Sequence, residues 1–352
     1  VPWFKRVLVT GATGFLGGHL CRRLLAEGVI VRGTVRRPRP SLDELREGGV
    51  ELFPAALEDA TALRLAAQGA DVVFHVAALA SYLASRERFE ETNVAGTRRV
   101  VEAARAAGVR RLVHVSSESV TLQNADRIDE DEAQPYPRKF LDHYSRTKAE
   151  AEREVLAANG QGIETAVVRA PWIWGERDTR VFKAIALAIV DGNFALVGDG
   201  ENRITTGHAQ NVAAGLIAAA ESPHAPGRVY HVADEVRPTM REFLGRLGEA
   251  GGFDLPRRRI PFRLAYAAAW AAERMRAVGL SAPMVLNRPY VIHVGRTWTL
   301  DDGRARRELG YRPPVSMDEG FGRLAAWIAQ CGGLEAALGR PPRAETRVNP
   351  KT

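Results

Sequence analysis

Short apolar runs alternate with longer helix-period segments through the first half of the chain. Val7-Leu8-Val9, Val29-Ile30-Val31, Asp71-Val72-Val73-Phe74, Leu112-Val113-His114-Val115 and Ala166-Val167-Val168 read as strands, and Leu16 to Glu27 reads as an intervening helix. Continuous Val/Leu/Ile runs, in place of strict alternation, are what parallel strands buried on both faces require. The pattern predicts an α/β architecture built on a doubly wound parallel sheet. Beyond Arg169 the rhythm loosens into a helix near Phe182 to Val190, a stretch broken by Gly198 and Gly200, a helix near His208 to Glu221 and an apolar strand from Val229 to Val232. An Ala-rich helix, Arg263 to Arg276, carries Leu264, Ala267, Ala268 and Ala271 at helical spacing, a stripe expected to pack on the core. Arg263, Glu273 and Arg276 exclude a membrane span there but allow weak contact with a membrane surface.

The chain has 352 residues, which at about 150 per domain suggests roughly two domains. Its 45% hydrophobic and 26% charged residues are those of an ordinary globular protein. The net charge is +7, yet of 49 basic residues only those at 5, 139, 148, 183 and 351 are lysines. Arginines spread among 42 acids read as compositional bias and not as a basic stripe, so no nucleic-acid partner is expected. Cys21 and Cys331 make neither a disulfide framework nor a zinc site, which fits a reducing compartment. No apolar run approaches the roughly 20 residues of a span, and no export signal precedes the first strand. A cytoplasmic protein is expected.

The strongest local signal is Val7-Leu8-Val9-Thr10-Gly11-Ala12-Thr13-Gly14-Phe15-Leu16-Gly17, a strand, a glycine-spaced turn and a helix. Gly11 permits the tight turn, Gly14 lets backbone approach a pyrophosphate at the helix N-terminus, and Gly17 allows close helix–strand packing. Position at the end of a buried strand makes this a dinucleotide-binding turn, and the architecture a Rossmann fold with a smaller, mostly helical C-terminal cap. Residues 1–175 are expected to form the dinucleotide-binding domain, with 206–233 returning to it. Residues 176–205 and 234–330 form the cap, and 331–352 a loose tail.

The G-x-x-G-x-x-G spacing resembles the extended short-chain dehydrogenase/reductase superfamily, and further landmarks agree. They are Asp71 to Ala78, Asn93-Val94-Ala95-Gly96-Thr97, Val115-Ser116-Ser117-Glu118-Ser119-Val120, Tyr144-Ser145-Arg146-Thr147-Lys148, and Arg169-Ala170-Pro171-Trp172-Ile173-Trp174-Gly175. The resemblance spans nearly the whole chain, to Leu309-Gly310-Tyr311. It implies catalysis by Ser117, Tyr144 and Lys148, and cofactor contacts from Gly11, Thr13, Gly14, Phe15, Leu16, Gly17, Arg36, Leu57, Ala77, Tyr144, Lys148 and Pro171, with no metal. The pair is chemically sound: residues i and i+4 share a helix face, so a Lys148 ammonium favours a Tyr144 phenolate. Alignment on Val120 selects Ser117 to bind the substrate oxygen, with Ser116 and Ser119 as alternatives. His75 and His114 read as packing residues at strand ends, and His143, beside Tyr144, is a secondary candidate for a substrate contact. No G-x-S-x-G elbow or metal-ligand spacing among the histidines supports hydrolase or metal chemistry.

At the end of the second strand, Thr34-Val35-Arg36-Arg37 offers no acid for a ribose diol, and Arg36, with Arg37 beside it, suits a 2′-phosphate. NADP(H) is expected ahead of NAD(H). Ala56-Leu57 departs from the family's Asp-Leu, so the polar contact to adenine is either absent or supplied by Glu58 or Asp59. The second half resembles the 3β-hydroxysteroid and sterol dehydrogenases and the 2-alkyl-3-keto acid reductases of olefin biosynthesis. The matching residues are Trp172 to Gly175, Arg203 to Val212 and Gly215 to Glu221. The resemblance implies hydride transfer to or from a ketone or secondary alcohol on a large apolar small molecule, held by a cap that includes Trp270 and Pro283 to Leu286, in a possible homodimer. The competing readings are a nucleotide-sugar epimerase or dehydratase, with Arg203 and Asn202 on a diphosphate, and a non-enzymatic dinucleotide sensor. Glu118 stands without the second acid a dehydratase needs, and sensors generally lose the Tyr-Lys pair that this chain retains.

Overall fold

The structure, a computed structural model, describes residues 2–36, 41–80, 84–178, 181–283 and 286–340. Its strands are β1 (Arg6–Thr10), β2 (Ile30–Val35), β3 (Glu51–Pro54), β4 (Val72–His75), β5 (Arg111–Ser117), β6 (Arg127–Glu130), β7 (Glu164–Ala170), β8 (Trp172–Trp174), β9 (Leu196–Val197), β10 (Thr206–His208), β11 (Val229–His231), β12 (Arg259–Ile260) and β13 (Trp298–Leu300). Seven of them form one all-parallel sheet in the order β3-β2-β1-β4-β5-β7-β11. Each apolar run divides between the two faces, as burial on both sides demands. Val7 and Val9 pack with Leu20 and Leu216 on one face, while Leu8 packs with Leu63, Val100 and Val155 on the other. The helices Phe15–Ala26 and Ala209–Glu221 cover the first face, and Ala60–Ala67, Gly96–Ala106 and His143–Ala157 the second.

A separate apolar cluster joins Trp174, Phe182, Phe243, Leu244, Val291 and Phe321. Leu338 belongs to it and is fully buried, and Leu334–Ala337 is helical, so the first part of the expected loose tail is packed. Residues 341–352 lie outside the described residues. The Ala-rich helix, Phe262–Ala277, is turned opposite to expectation. Ala265, Ala269 and Ala272 are its buried residues, whereas Leu264, Ala267, Ala268, Trp270 and Ala271 are exposed. Alanine fits either face, so its spacing alone carried no direction.

The sheet's order reverses between β1 and β4, and such a switch point opens a crevice at the strands' C-terminal ends. There Gly11 has φ of +71°, and a β-carbon on it would meet the Ala77 backbone at 2.9 Å. One on Gly17 would sit 2.1 Å from the Gly11 carbonyl oxygen, against 3.1 Å for one on Gly14. Gly17→Ala is therefore expected to cost about 2–3 kcal/mol, the upper range for overpacking, and Gly14→Ala less. Thermal unfolding of the two variants checks the order.

Candidate active site

The β1 turn leads into a helix whose N-cap is Gly14, with no side-chain cap and no acid in its first turn. Backbone N–H groups at that end are thus open to an anion. Thr13 and Phe15 are half-buried beside it, and Leu16 is buried. Behind the turn, Thr10 Oγ1 accepts from the Val76 and Ala77 amides and lies 2.8 Å from His75 Nδ1; His75 Nε2 is 2.9 Å from Thr97 Oγ1. Burial, aided by the Lys148 charge, pushes His75 down to about 3. The neutral ring accepts from Thr10 and donates to Thr97, which donates to the Asn93 carbonyl. His75 is a packing residue, as expected.

Arg36, exposed just past β2, contrasts with Arg32, whose guanidinium is spent on the carbonyls of Ala66 and Gln68. Arg37 lies outside the described residues. Leu57 is buried against Gly96. Of its two polar neighbours, Asp59 caps the helix Ala60–Ala67 through Ala62 N, leaving Glu58 exposed without that duty. Pro171, buried directly after β7, packs on Gly207.

Three serines at the end of β5 part ways. Ser116 is buried and donates to Glu152 at 2.5 Å, in a cluster where Glu152 also accepts from Tyr136 and Arg169. Ser119 is buried and donates to Ser117 Oγ at 3.0 Å. Ser117, half-buried, accepts from Ser119 and keeps its own proton for another partner.

Tyr144 and Lys148 share the helix His143–Ala157, whose first turn Asp142 caps by accepting from Ser145 N at 2.6 Å. Tyr144 is half-buried, its ring 6.5 Å from Phe89, while His143 beside it is exposed. Lys148 is buried; its Nζ donates to the Val115 carbonyl at 2.5 Å and lies 3.4 Å from His114 Nε2. Burial lowers this amine to about 8, against the pull of Glu152. Asn93 sits in a π-helical turn, Glu90–Ala95, and ties Leu79 to Thr147 on the same helix. Such turns recur at functional sites.

Two features escaped the sequence reading. His114, expected only to pack, faces the Lys148 amine; its position in β5 one residue before Val115 was the available signal. Glu118 is buried directly after Ser117, 3.7 Å from His293 Nε2, and accepts from the Trp172 backbone. Burial, then repulsion from Glu130, holds its carboxyl well above the usual range. Nothing local in the sequence links positions 118 and 293.

The parallel sheet, the glycine turn at its switch point and the Ser, Tyr and Lys at the end of β5 and its neighbouring helix define a short-chain dehydrogenase/reductase of the extended type. The chain belongs, over residues 8–263, to the 3-beta hydroxysteroid dehydrogenase/isomerase family. It is 38% identical over 320 residues to a 4-hydroxy-2-methyl-3-oxo-4-farnesyl-3,4-dihydroquinoline-1-oxide ketoreductase of Stigmatella aurantiaca, covering 91% of this chain and 95% of that one. It is 35% identical to a 2-alkyl-3-oxoalkanoate reductase of Stenotrophomonas maltophilia, covering 91% and 98%. Among solved structures, a dTDP-glucose 4,6-dehydratase double mutant from Streptomyces venezuelae with NAD bound superposes with a TM-score of 0.71 at 26% identity, over 92% of this chain and 97% of that one.

Separating the serines experimentally is direct. Ser117→Ala should lower kcat about 10²–10³-fold with an unchanged melting temperature. Ser116→Ala should cost about 1–3 kcal/mol of stability, by leaving buried Glu152 short of a donor, while the purified enzyme keeps most of its turnover. Steady-state kinetics and thermal unfolding on both variants check this.

Proposed function

We propose that this chain is a ketoreductase or hydroxysteroid-type dehydrogenase that uses NADP(H) in preference to NAD(H) and acts on a ketone or secondary alcohol carried by a large apolar body. The observation that carries this reading is the packing of the helix bearing Tyr144 and Lys148 against the end of β5 that bears Ser117; the second half of the chain adds a narrow apolar cleft that begins at Trp172, one residue past Pro171. That cleft runs between Trp172, Ile185, Phe194, Val197, Leu244 and Val294. It shares Phe194 and Leu196 with a cavity of about 300 Å³ rimmed by Arg241, Arg257 and Arg259. Residues 176–205 and 234–330, the proposed cap, thus offer apolar side chains to an alkyl or ring system. The ketoreductases named above bear substrates of that character.

The glycine cradle and its uncapped helix suit a dinucleotide pyrophosphate, and exposed Arg36 suits a 2′-phosphate. When bound, the nicotinamide supplies or accepts the hydride at the reacting carbon. Ser117, with its proton free, hydrogen-bonds the substrate oxygen. Tyr144 gives that oxygen its proton in reduction and takes it back in oxidation. Lys148, compact and held behind the helix by Val115, lends positive charge that favours the phenolate; an arginine would lack its size and its ability to titrate.

A nucleotide-sugar substrate is disfavoured by what its expected ligands already do. Arg203 donates to the Arg237 carbonyl at 2.9 Å, and Asn202 to the carbonyls of Val294 and Arg296.

Tyr144→Phe should lose at least about 10²-fold in kcat while binding cofactor normally. In a homologous series of 3-keto substrates, kcat/KM should climb with apolar size until the cap is filled, at about 25 cal/mol per Å² buried. Flat dependence together with micromolar binding of UDP-sugars would instead assign the epimerase chemistry. Arg36→Ala should weaken NADPH by roughly 1.5–3 kcal/mol and leave NADH nearly unchanged, measured by direct titration of both.

A further inference from the structure

Residues 255–300 hold eight arginines and one acid, Glu273, a net charge of +7 that equals the charge of the whole chain. The basic residues are spread, but the uncompensated charge is not. Among the described residues, the ion pairs of these eight are Arg288 with Glu273 and Arg296 with Asp126. Arg257, Arg258, Arg259, Arg263 and Arg274 are exposed.

The same segment carries the exposed stripe of the Phe262–Ala277 helix. Leu264, Trp270 and Met275 are 62%, 48% and 41% exposed, and Val278 and Leu280, just past the helix, 75% and 57%. They are half of the large hydrophobic residues exposed anywhere in the described chain. No serine, threonine, asparagine or glutamine dilutes the helix, and the Arg274 guanidinium lies 5.5 Å from the Trp270 ring centroid. A solvent face made of Leu, Ala, Trp, Met and Arg is costly in water and suited to an interface where apolar groups enter an acyl layer while arginines meet phosphates.

We infer that the outer face of the Phe262–Ala277 helix docks on the surface of an anionic lipid bilayer. The charge selects anionic headgroups, and the exposed Leu264, Trp270, Met275 and Val278 supply the insertion. The opposite face of the helix packs against the helix Arg288–Gly295, whose Tyr290 and Val294 line the apolar cleft. Docking therefore sets the cleft one helix away from the lipid.

Co-sedimentation of the full chain with phosphatidylcholine vesicles, with and without phosphatidylglycerol, tests this. Binding should be at least about tenfold tighter to the anionic vesicles and fall as salt rises from about 0.1 to 1 M. Leu264→Ser with Val278→Ser, and separately Arg263→Glu with Arg274→Glu, should each weaken it about tenfold or more, with no change in melting temperature. The inference is overturned by binding to neither vesicle, by equal binding to both, or by variants that bind like the parent. A dimer seen by light scattering and dissociated by Leu264→Ser with Val278→Ser also overturns it, because the stripe then covers a second copy. Vesicle binding is read without turnover, so its failure leaves the substrate assignment untouched.

Discussion

Where the Gly17 backbone meets the Gly11 carbonyl oxygen there is no room for a β-carbon, and this close approach sets how the first helix sits on the sheet. Because the helix comes so near, its N-terminus opens at the mouth of the crevice between β1 and β4 and not above it. Ala77 closes the other side of the same turn, again at a distance that only glycine at position 11 tolerates. The anion-binding end of the helix, the ends of the central strands and the start of β5's serine turn therefore share one edge. The groups proposed to hold the cofactor and the substrate oxygen are drawn from that edge.

A second layer of constraint lies behind it, in groups that bind nothing but one another. Glu152, fully buried, is held by Ser116, Tyr136 and Arg169, which lock the tyrosine-bearing helix to β5 and β7. A buried carboxylate needs such partners, and removing one leaves the rest unpaired. Lys148 then occupies the space between that helix and β5, with Val115 as acceptor and neutral His114 alongside. His114 lies well below its ordinary range, through burial first and the nearby Lys148 charge second. His114 stands beside the amine and packs in turn against His75, and burial lowers both imidazoles.

The sheet was legible in the sequence because each buried strand is a run of Val, Leu and Ile that no other element needs, and because glycines at 11, 14 and 17 follow the first of them. Tyr144, Lys148 and Ser117 were nominated by spacing and resemblance. Their hydrogen-bond duties were not: nothing in Val115-Ser116-Ser117 says which hydroxyl turns inward to Glu152, since that depends on strand pleat and on a residue 36 positions away. The Ala-rich helix failed for a related reason. A stripe of Leu264, Ala267, Ala268 and Ala271 looks like a core face, but a second stripe, Ala265, Ala269 and Ala272, is equally apolar and wins the core because small side chains let the helix approach Arg288–Gly295 closely.

That outcome joins the cap's two surfaces. The Phe262–Ala277 helix turns Ala265, Ala269 and Ala272 inward and leaves Leu264, Trp270 and Met275 outside. An apolar substrate loses about 0.8 kcal/mol of hydration penalty for each methylene it removes from water, so its dilute aqueous population is small and its lipid-bound population large. An enzyme that meets it in water must wait for the rare free molecule; one whose cap rests where the substrate already resides does not. The concentration of net charge in residues 255–300, next to an exposed Leu, Trp and Val surface, is the arrangement that such a supply demands. By the same physics the sheet half of the molecule, with its charges balanced, has no reason to face the lipid and stays turned toward its water-soluble cofactor.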